Sequence, residues 1–151
     1  MKAIIQRVSG ASVSVEGKTV GSVGYGFLVL LGVTNEDTCE QAELLSKKTA
    51  ALRVFRDDED KMNLSLLDVD GEALVISNFT LCADTKKGNR PSFVNAMEPV
   101  RANKLYDYYC DCLKQNGVKK IEKGVFGADM TLSITGIGPV TITLDTDTWR
   151  K

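Results

Sequence analysis

No histidine occurs anywhere in the 151 residues. That absence excludes Ser-His-Asp and Cys-His nucleophilic arrangements, a His-ligated zinc and a histidine proton shuttle. The four cysteines, Cys39, Cys82, Cys110 and Cys112, contain no C-x-x-C pair. The common redox and zinc spacings are therefore missing. No secretory h-region with a cleavage site precedes them, so reduced thiols and a cytoplasmic location are expected. The longest apolar run, residues 27–33, is too short to span a bilayer, and no membrane role is expected. Nineteen basic residues against twenty acidic ones leave a net charge of −1. Such a balance excludes a chain that coats nucleic acid through its overall field, so any such contact must be local.

What remains is the composition of an ordinary soluble domain, 43% hydrophobic and 26% charged, long enough to bury a core without staples. Residues 2–8 are rich in strand formers, and Val13 and Val15 alternate with Ser12 and Ser14 before a turn at Glu16-Gly17-Lys18. The continuous run Phe27-Leu28-Val29-Leu30-Leu31 predicts a strand covered on both faces. Asn35 or Asp37 is placed to cap a helix over about 36–52, with Cys39, Ala42, Leu45, Thr49 and Leu52 on its inner face. Residues 53–55 suggest a short strand. Asp57-Asp58-Glu59-Asp60 reads as a solvated loop without the glycine and terminal Glu of a calcium loop. Residues 73–77 predict another apolar strand. A second helix is expected from near Pro99 to Asn116-Gly117, with Ala102, Leu105, Tyr109, Cys112 and Leu113 inward and Cys110 and Cys112 pointing apart. Strands over 118–125, 130–135 and 140–144 close the chain. Strands first, two long helices and strands last predict one α+β domain over residues 1–151, with largely antiparallel, barrel-like sheets.

Two segments go beyond what packing requires. In Ser77-Asn78-Phe79-Thr80 a buried strand ends in polar side chains around an aromatic ring, a pattern able to form a small pocket with an oxyanion-binding wall. The plainer reading is a strand terminus with Thr80 bonded back to the chain. Gly136-Ile137-Gly138-Pro139 lies where proline would interrupt a ladder, and X-Pro is the bond type in which the cis form is cheap. Its plainer reading is a hairpin turn. Basic residues gather at Lys86-Lys87 with Arg90 and at Lys119-Lys120 with Lys123. Each group could hold phosphates or be a solvated face.

Several stretches together resemble the D-aminoacyl-tRNA deacylase family. They are residues 1–8, Ser77-Asn78-Phe79-Thr80-Leu81, Lys87-Gly88-Asn89-Arg90-Pro91-Ser92-Phe93, Phe126-Gly127-Ala128-Asp129-Met130 and Gly138-Pro139-Val140-Thr141, in family order over nearly the whole chain. Asn78 stands where that family usually has Gln, and Gly136 where it usually has Asn. The resemblance implies a homodimer that hydrolyses the ester of D-aminoacyl-tRNA at the 3′-terminal adenosine, without cofactor, metal or a protein partner of another kind. It implies catalytic roles at Ser77, Asn78, Phe79 and Thr80, and substrate-binding roles at Arg7, Met130, Gly136, Gly138 and Pro139. A cis Gly138-Pro139 loop from the partner would exclude L side chains and admit glycine. With no histidine, backbone N–H groups near Phe79 and Thr80 and the ribose 2′-hydroxyl are the expected agents. Thr80 is tempting as a nucleophile, but no base accompanies it, and it is read as a pocket hydroxyl. A non-catalytic nucleic-acid-binding dimer and an editor of L-aminoacyl esters are the competing readings.

Overall fold

The computed structural model of the chain describes residues 1–149. Its two longest strands, β1 (Lys2–Val15) and β8 (Thr131–Asp145), run antiparallel over almost their full length. β1 alternates buried Ala3, Ile5 and Arg7 with half-exposed Lys2, Ile4 and Gln6, the period of a strand with one covered face. The alternation slips at Val8 and resumes at Ala11 and Val13. Met1, Ala3 and Ile5 accordingly enter the main core, while Val8, Ala11 and Val13 enter a smaller one with Leu28, Leu74 and Ile76.

The other strands are β2 (Lys18–Val23), β3 (Gly26–Gly32), β4 (Phe55–Arg56), β5 (Met62–Leu64), β6 (Glu72–Ser77) and β7 (Ile121–Lys123). The main sheet runs β2-β1-β3-β6-β7, with β8 also paired to β1. β1 meets β2, β3 and β8 antiparallel, whereas β3 to β6 and β6 to β7 are parallel. The parallel portion is the deepest, as expected where both faces must be covered, and every residue of β3 except Leu30 is buried. A Cβ at Gly21 of β2 would stand 2.7 Å from the Lys123 carbonyl of β7. Glycine there lets the two ends of the sheet approach each other and curl it toward a barrel. The architecture matches the α+β, largely antiparallel, barrel-like expectation.

Helices α1 (Cys39–Ala51) and α2 (Pro99–Gln115) pack on each other and cover the sheet. Two buried phenols tie them down. Tyr106 donates to the Val75 carbonyl of β6 at 2.6 Å, and Tyr109 to Thr49 of α1 at 2.8 Å. α1 starts three residues later than its apolar spacing suggested, because Thr38 is the cap. Its hydroxyl accepts from the Glu40 N–H at 3.3 Å, and Gln41 accepts from the Thr38 N–H at 2.8 Å. Asp37 is occupied elsewhere, bonding the Met1 ammonium at 2.5 Å and the Thr34 N–H at 2.7 Å. Cys39 is consequently exposed rather than inward. α2 follows the expected bounds, ending at Asn116 before Gly117 at φ +105°. Tyr106 and Cys110 take more of its buried face than Leu105 does.

The end of the chain differs more. Residues 130–144 are not two strands joined by a turn but the single strand β8. Both halves follow β1 in the same direction, so no reversal occurs at 136–139. From Gln6 to Gly10 β1 takes four residue steps, while opposite it β8 takes six from Thr135 to Thr141. The surplus is expelled as a bulge around Ile137, Gly138 and Pro139.

Candidate active site

At the end of β6 the strand pairing continues one residue further, with the Asn78 N–H donating to the Leu31 carbonyl at 2.8 Å. The chain then folds into a 3₁₀ turn, Phe79–Cys82. Gly32 permits this: a Cβ there would sit 2.9 Å from that of Leu81 and 3.3 Å from the Asn78 carbonyl. The turn forms one wall of a cleft of about 710 Å³. Its other walls are the 93–99 segment, the first turns of α2 and the 126–130 loop. Ser77, Asn78, Phe79, Thr80 and Met130 all line it.

Phe79 and Phe93 meet edge to face at the exposed rim, their centroids 5.0 Å apart at 72°. Such a pair offers an aromatic surface on which a flat ring can pack. The Thr80 hydroxyl donates to the Asn78 side-chain oxygen in a very short bond. Its proton is thus held by an amide oxygen, which is no base. Asn78 gives the turn no side-chain cap. As the first two residues of the turn, Phe79 and Thr80 present N–H groups that have no acceptor among the described residues. Two neighbouring free donors of this kind can bind an oxygen that gains negative charge. Tyr106 also lines the cleft, its phenol donating to the Val75 carbonyl and pushed by burial far above the ordinary range. Glu98 is committed to α2, its carboxylate accepting from the N–H groups of Val100 at 3.0 Å and Arg101 at 2.8 Å.

Arg7, Gly136, Gly138 and Pro139 form a second constellation that does not line this cleft. Arg7 is only 5% exposed. It donates to the Val54 carbonyl at 2.7 Å and to the Ile137 carbonyl at 3.3 Å, which holds the bulge from beneath. Gly138 has φ +122°, and a Cβ on it would stand 2.9 Å from the Val140 nitrogen and 3.0 Å from Arg7 Nη2. The Gly138-Pro139 peptide is cis, and Gly136, Gly138 and Pro139 are exposed. Within one chain the site residues expected from the sequence therefore fall into two groups.

The D-Tyr-tRNA(Tyr) deacylase family profile matches residues 4–145. The chain belongs to that family. A D-aminoacyl-tRNA deacylase of Clostridium beijerinckii is 51% identical over 145 residues, covering 96% of this chain and 97% of the relative. One of Deinococcus deserti is 52% identical, covering 96% and 99%. A solved structure described as c-Myc DNA Unwinding Element Binding Protein superposes with a TM-score of 0.91 at 40% identity, over 96% of this chain and 98% of that one. Another, described as a probable eukaryotic D-amino acid tRNA deacylase, gives 0.81 at 17% identity, over 95% and 97%, and shows the shared fold.

For a deacylase-family chain, the cleft contains more than the residues chosen from the sequence. Phe93, Phe126, Met97 and Tyr106 also line it. Phe93 and Phe126 lie in stretches that carry the family resemblance. Tyr106 gives no such signal, since on the sequence it is one more aromatic of a helix.

Proposed function

We propose that this chain hydrolyses the ester that joins a D-amino acid to the 3′-terminal ribose of tRNA. The observation that carries the mechanism is the pair of unpartnered N–H groups at Phe79 and Thr80 on the cleft wall. A water oxygen attacks the ester carbonyl, and these two donors stabilise the oxyanion that develops. The carbon–oxygen bond to the ribose then breaks, and the ribose 2′-hydroxyl relays the water's proton to the departing 3′-oxygen. The terminal adenine packs on the Phe79–Phe93 rim. Ser77, Asn78 and Met130 shape the amino-acid end.

Selection of the D form is assigned to a second copy of the chain. Its bulge at Gly138 and Pro139, with Gly136 at its base and Arg7 beneath it, enters the cleft and fills the space an L side chain would need. Glycine passes because it has nothing to exclude. Two observations support this reading: the bulge is exposed away from its own cleft, and β8 presents a long edge that no other strand pairs among the described residues.

Hydrolysis of D-Tyr-tRNA, L-Tyr-tRNA and Gly-tRNA, followed side by side, tests the whole reading. Rapid release of D-Tyr and glycine with L-Tyr retained is expected. Equal rates on D and L would overturn the selection, and the absence of any release, with salt-sensitive nucleic-acid binding, would favour the binding-protein reading. The latter has one point in its favour, the description carried by the 40% identical structure.

A further inference from the structure

We propose that the loop over residues 84–92 holds the phosphates of the single-stranded end of the RNA, through Lys86, Lys87 and Arg90, and that the other lysine cluster takes no part. This rests on the tRNA substrate proposed above and adds where the rest of that substrate lies. The two basic clusters look alike in sequence but differ in their surroundings. Lys119 pairs with Asp70 at 3.3 Å, Lys120 with Glu72 at 3.6 Å and Lys123 with Asp107 at 2.5 Å. That cluster is already neutralised by its own chain. Lys86, Lys87 and Arg90 have no carboxylate within ion-pair distance among the described residues, and all three are exposed.

Position distinguishes them as well. The loop connects two walls of the cleft, leaving the turn that carries Phe79 and Thr80 and returning at Phe93. Asp84 and Ser92 close its base by a reciprocal backbone pair at 2.7 and 2.9 Å, and the Asp84 carboxylate accepts from the Lys86 N–H at 2.9 Å. Between them the chain can project at most about 12 Å. The three cations are therefore carried on a short, anchored flap whose two ends join the cleft walls, Lys86 lining a neighbouring concavity with Asn35, Glu36, Asp84 and Asp147. A ribose seated at the aromatic rim sends its 5′-phosphate, and those before it, out of the cleft toward the flap. Backbone phosphates are what unpaired lysine and arginine side chains hold there, without reading sequence.

The experiment compares wild type with a triple variant, Lys86→Ala, Lys87→Ala and Arg90→Ala, and with a control, Lys119→Ala and Lys120→Ala. Two readouts are needed: binding of uncharged tRNA against salt, and hydrolysis of both D-Tyr-tRNA and the small ester 3′-D-Tyr-adenosine. For the flap variant we expect KM for D-Tyr-tRNA to rise about tenfold at low salt, and the log–log salt slope of binding to become shallower by about 2. Turnover of the small ester should stay within about twofold of wild type, because no phosphate contact is lost from it. The control should match wild type, and Lys86→Arg with Lys87→Arg should keep the wild-type slope. An unchanged slope in the flap variant, an equal loss on the small ester, or an equal loss in the control overturns the proposal. Wild type that fails to bind tRNA overturns it also. Failure of wild type to cleave the small ester would instead strike the hydrolytic reading, and the binding slopes would still decide the flap.

Discussion

Thr80 has an exposed hydroxyl at the wall of the cleft, yet its proton goes to an amide oxygen of Asn78. In the proposed mechanism backbone donors stabilise the oxyanion, so Thr80→Ala is expected to lower kcat by less than about tenfold. A thousandfold loss, or a trapped acyl-enzyme, would make Thr80 the nucleophile. Arg7 invites the opposite expectation. Its guanidinium is buried and bonds two carbonyls, so Arg7→Ala leaves Val54 and Ile137 short of a donor and should cost about 1.5–3 kcal/mol. Denaturant unfolding would measure that cost, and D/L selectivity should fall with it as the bulge loses its anchor. Gly138→Ala should damage selectivity too, because the new methyl group meets the Val140 nitrogen and Arg7. Wild-type selectivity in a folded Gly138→Ala protein would refute the proposed role of the bulge. At this scale the sequence showed which residue types were odd for their surroundings. It did not show which of them meet, since Arg7 reaches Ile137 across 130 residues.

Among the elements, α2 carries the clearest pH dependence. Burial holds the phenols of Tyr106 and Tyr109 above their ordinary range and pushes the Cys110 thiol from 9.0 up to about 12. In the unfolded chain the same thiol ionises near its ordinary value. Above about pH 9 the unfolded state therefore binds fewer protons than the folded one, and stability falls as pH rises toward 12. Below pH 9 this contribution is fully present. Melting temperatures taken across this range should decline steadily, and less steeply in Cys110→Ala. A flat profile to pH 11 would refute the account. α2 was also the most legible element, because Pro99 and Asn116-Gly117 mark both ends by local chemistry. α1 was less so: Asn35 and Asp37 were the caps expected from the sequence, but the buried demand of the Met1 ammonium removes Asp37 from contention and Thr38 takes the role. The bulge in β8 was invisible as such, since a turn and a bulge use the same glycine and proline signals, and only the register against β1 tells them apart.

For the molecule as a whole, the outstanding surface is the free edge of β8, with Thr131, Ser133, Ile134 and Thr135 exposed along it. An edge of fifteen residues invites pairing unless something covers it. The proposed second copy, related by a twofold axis, would answer that need and bring each bulge toward the other's cleft. Sedimentation should give a dimer at micromolar concentration, and a strict monomer that still rejects the L substrate would contradict the shared site. The barrel-like sheet with two covering helices was legible from the order of elements. The separation of the candidate residues into two groups was legible only through the family resemblance, since neither periodicity nor composition says that Gly138 and Pro139 lie apart from the cleft of Ser77 and Thr80.

The bulge also has an arithmetic of its own. Three residues are gained between Gly136 and Thr141 and one is given back between Thr135 and Gly136, so the net surplus of two is even and the halves of β8 on either side present the same face to the sheet, as the alternation of a strand requires. Excising Gly138 together with Pro139 would let the ladder close without turning one side chain over. Such a shortened chain should keep its melting behaviour while treating both mirror-image substrates alike, which makes the protrusion an insert that the fold tolerates and the chemistry needs.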